Sequence, residues 1–198
     1  MKGFSKQEIF WISIIFLFLF AISFPNFALS IRRARDQTRR DDMGSLENSL
    51  NEYYADFGVF PKSSEKGEMV ACVDPSNKVE VNKKGGLMIN LVPCAWGSDS
   101  LADLTPGSTK VYYQKLPLDP TQNKGDIYVY ISNGARFQLL SSLEGVEEAG
   151  YDASIAARKI TCGTRTCNMG RSYGVPLNKS ISEYEEELNN AIQQKKKK

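Results

Sequence analysis

Hydrophobic side chains are concentrated in one run near the start of the chain. Residues 9–29 read IFWISIIFLFLFAISFPNFAL and contain no charged side chain. As an α-helix this apolar run is about 31 Å long, because each residue adds about 1.5 Å, and a bilayer core is about 30 Å thick. The apolar run therefore predicts a membrane-spanning helix. Pro25 removes one backbone hydrogen bond, so we expect a kink or a local loosening there.

The flanks of the apolar run leave more than one interpretation open. A secretory signal has a shorter apolar core and a small-residue cleavage site, whereas arginines follow here. A domain of this size could hardly bury the run as a core helix. By the positive-inside rule the excess of arginine after the run favours a cytoplasmic C-terminal side, whereas the cysteines described below favour the opposite orientation.

A second pattern continues beyond the apolar run with helical spacing. Apolar side chains recur on one helix face at Met43, Leu46, Leu50, Tyr53 or Tyr54, and Phe57. We expect this face to pack on a globular domain, and Gly58 and Pro61 predict the end of the helix. Residues 32–42 are almost wholly charged or polar, and we expect them to be solvated.

Shorter segments in the remaining chain predict β-structure. Residues 111–113, 127–131 and 136–140 are rich in apolar and aromatic side chains. The Ser-Asn-Gly-Ala sequence at 132–135 predicts a hairpin turn between the last two. Residues 145–179 are rich in glycine and predict loops. The expected fold is therefore α+β, with a long N-terminal transmembrane and amphipathic helix packed on a small antiparallel sheet.

The C-terminal residues 180–198 predict a polar, exposed tail. Ser182 and Glu185 match a helix capping box. The acidic residues precede the lysines at 195–198, which is the order that a helix dipole favours.

The composition excludes several kinds of chemistry. The chain has no histidine, which removes Ser–His and Cys–His catalysis and the commonest neutral metal ligand. The formal net charge of +2 does not indicate nucleic-acid binding. We therefore expect a protein that is not an enzyme.

Four cysteines lie beyond the apolar run, at Cys72, Cys94, Cys162 and Cys167. An even number of cysteines in a non-cytosolic domain favours disulfides, with three pairings open. Short loops close at lower entropic cost, which favours Cys72–Cys94 and Cys162–Cys167. A zinc site is the competing interpretation, but the usual Cys-x-x-Cys spacing is missing.

The first eight residues, MKGFSKQE, place a basic residue, a glycine, a phenylalanine and a glutamate before the apolar run. This start resembles the class III leader of type IV pilins and type II secretion pseudopilins. The resemblance implies that a prepilin peptidase cuts between Gly3 and Phe4 and methylates the new N-terminus at Phe4. It also implies that Glu8 neutralises the amino terminus of a neighbouring subunit in a filament.

Further stretches extend the resemblance, which is nearest to the major pseudopilins. Pro25 lies where this family has a helix-breaking proline that helps subunits assemble. The helix exit at 53–61, YYADFGVFP, is similar to a pseudopilin helix exit. The sequence LPLDP at 116–120, ahead of a tyrosine-rich strand, is similar to the entry of the pseudopilin sheet.

The resemblance implies a structural role for the chain in a type IV pilus-like or type II secretion pseudopilus filament. Its partners would be copies of itself and related pilins, the prepilin peptidase, an inner-membrane assembly platform, and membrane lipid before assembly. The C-terminal domain would lie outside the cytoplasm, first on a single-pass anchor and then in an extracellular or periplasmic filament. The alternative is a single-pass membrane-anchored extracellular binding domain that is neither cleaved nor polymerised.

These expectations divide the chain into five parts. They are a leader at 1–3, a transmembrane and filament-core helix at 4–30, the polar half of the helix at 31–60, a globular domain at 61–179 and the tail at 180–198.

Four side chains could supply oxygen ligands to calcium, as loops of some major pseudopilins do. These candidates are Asp119, Asn123, Asp126 and Asp152. The competing interpretation is that these residues form turns, which Asp and Asn favour. We expect no other cofactor.

Overall fold

The computed structural model describes residues 5–74, 80–81, 87–88 and 90–196 of the chain. Its main element is helix α1 (Lys6–Phe57), which has 52 residues and is therefore about 78 Å long. The backbone remains helical through Pro25, although a proline cannot donate the usual hydrogen bond to the carbonyl four residues before it. The two sequence patterns thus belong to one continuous helix.

Both ends of α1 are capped by local hydrogen bonds. At the start, the Ser5 N–H donates to Glu8 Oε2 at 2.7 Å, and the Glu8 N–H donates to Ser5 Oγ at 3.3 Å. At the end, Gly58 has a left-handed backbone with φ of 69°, and its N–H donates to the Tyr54 carbonyl at 2.7 Å. Glycine adopts this conformation without a Cβ clash. The predicted end of the helix is confirmed.

The two halves of α1 have opposite surroundings. In residues 9–29, every large apolar side chain that the structure describes is between 36% and 72% exposed. In the second half, Met43, Leu46 and Leu50 are buried, as their spacing predicts. The first half is long and apolar enough to cross a membrane, and its most apolar stretch is not covered by the described parts of the domain.

The rest of the described chain forms short strands, one 3₁₀ turn and two shorter helices. The strands are β1 (Lys62–Ser63), β2 (Met69–Val73), β3 (Glu80–Val81), β4 (Leu87–Met88), β5 (Leu91–Pro93), β6 (Leu101–Ala102), β7 (Val111–Tyr113), β8 (Val129–Ser132), β9 (Phe137–Ser141), β10 (Thr161–Cys162), β11 (Arg165–Thr166) and β12 (Met169–Tyr173). The helical elements are the 3₁₀ turn Gln122–Lys124, α2 (Ala153–Ala157) and α3 (Ile181–Lys196).

The central sheet is antiparallel, with the strand order β12–β9–β8. All five residues of β9 are buried because it is the middle strand and helix α1 lies against it. The hairpin between β8 and β9 turns where the sequence predicts it. A second sheet has the order β1–β2–β5, and β7 pairs with β6 rather than joining the central sheet. The fold is α+β, as expected.

The prediction of loops for residues 145–179 is wrong. This part contains α2, β10, β11 and β12, and β12 is an edge strand of the central sheet. The sequence of β12, MGRSY, has a weak apolar pattern. In the structure, only Met169 of this strand is buried. Gly170 permits close pairing, since a Cβ there would lie 2.8 Å from Leu140 Cδ2 and 2.9 Å from the Leu139 carbonyl oxygen. The strand is thus stabilised mainly by its neighbour.

Aromatic side chains fill the space where α1 ends and the domain begins. The rings of Tyr54 and Phe60 stack with centroids 4.5 Å apart, and Phe60 meets Phe137 of β9 edge to face at 4.8 Å. Tyr130 donates from its hydroxyl to the Pro61 carbonyl at 2.7 Å. Such pairs add to the free energy of burial, so the helix exit is fixed to the central sheet.

The C-terminal tail forms helix α3, and its cap differs from the predicted one. The capping box pairs Ser180 with Glu183: the Ser180 N–H donates to Glu183 Oε2 at 2.7 Å, and the Glu183 N–H donates to Ser180 Oγ at 3.2 Å. The expected pair, Ser182 and Glu185, lies two residues too late. Ile181 is buried at the start of α3, and most of the later residues are exposed, as expected.

Candidate functional site

The exposed first half of α1 carries the residues that the sequence predicts for assembly. Glu8 lies in its first turn, where its carboxylate is exposed and caps the helix with Ser5. Gly3 and Phe4 lie outside the described residues. Polar side chains within the apolar run bond to their own helix: Ser13 Oγ donates to the Ile9 carbonyl at 2.9 Å, and the Asn26 amide donates to the Ile22 carbonyl at 3.3 Å. These bonds reduce the cost of placing polar groups in an apolar setting.

Directly after the apolar run, α1 is joined to the domain by charged side chains. We call this the arginine junction. It consists of Arg32, Arg33, Arg35, Asp36, Arg39 and Arg40 of α1 with Asp119, Thr121, Glu144, Glu147 and Glu148 of the domain. The expectation that residues 32–42 are solvated is therefore wrong for Asp36 and Arg39, which are buried, whereas the side chains at 33, 34, 37, 38 and 41 are exposed as expected. The arginines pair with carboxylates that are distant in the sequence, and a local pattern cannot identify such partners.

Arg39 is the centre of the arginine junction and is fully buried. Its Nε and Nη2 donate to the two carboxylate oxygens of Asp119 at 2.8 and 2.9 Å. Its Nη1 donates to Asp36 at 2.7 Å and to Glu144 at 3.1 Å, and Nη2 also donates to Thr121 Oγ1 at 2.6 Å. The planar guanidinium group matches this arrangement because its donors lie in a fixed fork.

Asp36 connects α1 to the loop that follows β9. Its carboxylate accepts hydrogen bonds from the backbone N–H of Glu144 at 2.8 Å and of Gly145 at 3.0 Å. Arg35 holds the same loop, donating to both oxygens of Glu144 at 2.5 and 2.6 Å. The loop therefore cannot move away from the helix without breaking charge-assisted hydrogen bonds.

The remaining arginines of the junction meet the same loop. Arg32 pairs with Glu147. Arg33 and Arg40 lie 3.5 and 3.3 Å from the carboxylate of Glu148. These outer pairs are partly exposed and contribute less to stability than the buried ones.

The charges of the junction shift the pKa of Glu144. Hydrogen bonds from Arg35 lower it most, burial opposes this, and Arg39 lowers it further, so the pKa falls from 4.5 to about 2. Arg165 also faces this carboxylate, at 3.7 Å. In Arg39 itself, burial would lower the pKa, but the hydrogen bonds that it donates to Asp119 and its other carboxylate partners raise the pKa above its ordinary value. Both groups remain ionised at neutral pH.

The pKa of Glu144 predicts how stability depends on pH. The unfolded chain binds a proton at this carboxyl near pH 4.5 and the folded chain only near pH 2. Stability from this group is therefore fully present above pH 4.5 and is lost as the pH falls towards 2. Urea unfolding of the full chain in detergent between these values should show the loss. Glu144→Gln should flatten this part of the profile, and an unchanged profile would contradict the assignment.

Among the described residues, Asp119, Asp126 and Asp152 do not lie close enough together to share one metal ion, although Asp119 and Asp126 both lie 2.7 Å from Thr121 Oγ1. Asp119 binds Arg39, and Asp126 accepts from Thr164 Oγ1 at 2.5 Å and lies 3.3 Å from Arg165. Asp152 caps α2 by accepting from the Ser154 N–H at 2.8 Å. Asn123 is exposed in the 3₁₀ turn. The guanidinium group of Arg39 thus supplies the positive charge next to Asp119, and calcium binding by this set stays a prediction.

The cysteines form the two short-loop disulfides that the sequence favours. Cys72 is joined to Cys94 and Cys162 to Cys167, and the Cα atoms of each pair are 5.1 Å apart. In the described part of the chain, one group of three potential ligands lies close enough to share a metal: Cys72, Cys94 and Asp99. Its two sulfur atoms are bonded to each other, which removes the thiolates that zinc requires.

The sequence contains one signal for the arginine junction, which is the helical spacing of two charged residues relative to Met43. Arg39 precedes Met43 by four residues, and Asp36 precedes it by seven. Both therefore continue the helix face that Met43 begins. A charged residue on the buried face of a helix indicates a buried ion pair, but the partners can be found only in the folded chain.

Comparison of the chain with models of known protein families, with curated protein sequences and with solved structures finds no significant match.

Proposed function

We propose that this chain is a structural subunit of a filament of the type IV pilus or type II secretion pseudopilus kind. The observation that carries the proposal is the division of α1. Its first half presents an apolar surface on all sides, and its second half is packed on a domain. In water the first half would be unstable, so it requires lipid or other apolar helices around it.

Lipid and a filament core can serve as successive surroundings for the same helix. A single apolar helix satisfies its own backbone hydrogen bonds and is stable in a bilayer. Copies of the same helix can replace lipid by packing against one another, which requires no change in the domain. The cleaved subunit would leave the membrane in this way, with its apolar run inside the filament and its domain outside.

The arginine junction supports this role mechanically. A subunit that is extracted from a membrane and packed by its helix must transmit force between helix and domain. Buried and bidentate ion pairs at Arg39 and Arg35 hold the two parts in one orientation directly after the apolar run. The domain would therefore follow the helix as one body.

The junction also bears on membrane orientation. The arginines after the apolar run have carboxylate partners within their own domain, so they do not require a cytoplasmic environment. The two disulfides favour an oxidising compartment for the domain. Together these observations favour a domain outside the cytoplasm on a single membrane anchor.

The N-terminal residue of the mature protein tests the proposal. In cells that also express a prepilin peptidase, mass spectrometry of the membrane-extracted chain should find an N-terminal peptide that begins at methylated Phe4. The variant Gly3→Val should retain Met1, because the resemblance places the cut directly after Gly3, where valine would introduce a branched side chain. An intact Met1 in the unaltered chain would overturn the proposal and favour an uncleaved, membrane-anchored binding domain.

A further inference from the structure

The loop after β9 contains an exposed apolar side chain in a charged setting. Val146 is 69% exposed, which is the largest value among the large apolar side chains of the domain that the structure describes. It lies between Gly145, which is buried, and Glu147, which pairs with Arg32. An isolated exposed valine needs no explanation by itself. Its position relative to the apolar run makes it significant.

The contacts of the loop place it next to the end of the apolar run. Arg32 follows Leu29 by three residues, which is about 4.5 Å along the helix axis, and Arg32 contacts Glu147 directly. The headgroup region on each side of a bilayer is about 5 to 8 Å thick. If residues 9–29 occupy the hydrocarbon core, Glu147 therefore lies at the level of the headgroups, whereas Asp36, which binds Gly145, lies about 10.5 Å beyond Leu29. Val146 lies between these two points of attachment.

The loop is held in this place rather than free to adopt other positions. Asp36 binds the backbone of Gly145, and Arg35 binds Glu144. Gly145 also permits a close fit: a Cβ there would lie 2.8 Å from Glu148 Cγ and 3.2 Å from Arg32 Nη2. Val146 thus lies in a segment that Arg32, Arg35 and Asp36 fix against α1.

The charges around Val146 are compatible with a phospholipid surface. Glu147 and Glu148 are each paired with arginine, so their repulsion of lipid phosphates is reduced. Arg33 retains a side chain that is 58% exposed and is available for a phosphate. The carboxylates on either side of Val146 are paired with arginines of α1, so a short apolar group lies beside neutralised charges and an exposed arginine, which is compatible with the boundary between acyl chains and headgroups.

We propose that the loop at 144–149 is a membrane-contact site, in which Val146 enters the phospholipid headgroup region while the subunit is anchored. The inference rests on the membrane anchoring in the proposed function, but not on cleavage or filament formation. The contact would set the height and the rotation of the domain above the bilayer. It would be released when the subunit enters a filament.

Tryptophan fluorescence in lipid nanodiscs tests the site. The full chain with Trp11→Phe is reconstituted in phosphatidylcholine nanodiscs, with or without lipid brominated near the glycerol end of its acyl chains. Adding Val146→Trp should produce emission that is partly lost with brominated lipid. The matched control is Val59→Trp, because Val59 is 52% exposed but follows the C-terminal end of α1, about 40 Å from Arg32. Its emission should be unchanged, and Trp96 is common to both variants.

The possible outcomes separate the two proposals. If brominated lipid reduces the emission of neither Val146→Trp nor Val59→Trp, the proposed membrane-contact site is wrong. The unaltered chain supplies the control for anchoring, since Trp11 lies within the apolar run. Brominated lipid should reduce the emission of the unaltered chain more strongly than the emission of Trp11→Phe. If Trp11 is not quenched, the chain does not insert, and both the anchoring and the loop contact are wrong. Intact disulfides in each variant would show that the domain has folded.

Discussion

Replacing Arg39 by alanine is expected to lower the free energy of unfolding by about 3 to 5 kcal/mol, which is typical when one partner of a buried ion pair is removed. In the folded chain, the substitution leaves Asp36 and Asp119 buried without their cation. Water that enters the space left by the guanidinium group compensates only part of the lost charge-assisted hydrogen bonds. The measurement is urea unfolding of the full chain in detergent at neutral pH, followed by near-ultraviolet circular dichroism.

A matched control distinguishes burial from charge. Arg171 also pairs with a carboxylate, at 3.7 Å from Glu47, but its side chain is 51% exposed. Arg171→Ala should therefore cost no more than about 1 kcal/mol. Arg39→Lys should fall between the two, because lysine keeps the charge but cannot reproduce the bidentate hydrogen bonds to Asp119. Equal effects of Arg39→Ala and Arg171→Ala would contradict the central role of the junction.

Replacing Glu8 by alanine is expected to abolish filament formation and to leave cleavage before Phe4 largely intact. Within a filament the carboxylate would be surrounded by apolar helices, where it is stable only next to a positive group such as the amino terminus of a neighbour. A loss of about 1.4 kcal/mol per subunit already weakens subunit addition tenfold. Electron microscopy and sedimentation of sheared filaments measure assembly, and mass spectrometry of the N-terminus measures cleavage.

The cap at the start of α1 suggests the decisive control for Glu8. In the structure its carboxylate accepts from the Ser5 N–H, so alanine removes a helix cap as well as a charge. Glutamine keeps the capping hydrogen bond but has no charge. Glu8→Gln should therefore fail to assemble if the charge is required. Normal filaments from Glu8→Gln, but not from Glu8→Ala, would show that Glu8 acts only as a cap.

The two substitutions address different steps in the proposed life of the subunit. Arg39 lies where the helix leaves its apolar surroundings, and Glu8 lies at the opposite end of the apolar run. Loss of Arg39 should impair the folded subunit before assembly. Loss of Glu8 should leave the domain folded, because no described contact joins Glu8 to the domain.

Local patterns in the sequence were sufficient for the main helix and the hairpin. The apolar run, the spacing from Met43 to Leu50, and Gly58 together determine α1, because each is a pattern of residues that are neighbours along the chain. The two disulfides also follow from the sequence, since short loops close most readily. The proposed roles of Gly3, Phe4 and Glu8 come from their spacing before the run, and the structure leaves them as proposals.

Only the tertiary structure decided what surrounds the charged residues after the apolar run. Arg39 is separated from Asp119 by 80 residues and from Glu144 by 105, so the helical spacing can place Arg39 on the buried face but cannot identify its partners. The same reason explains β12, whose place in the sheet depends on pairing with β9. Hydrophobic periodicity is a property of neighbouring residues, whereas ion pairs and strand partners depend on how the whole chain folds back on itself.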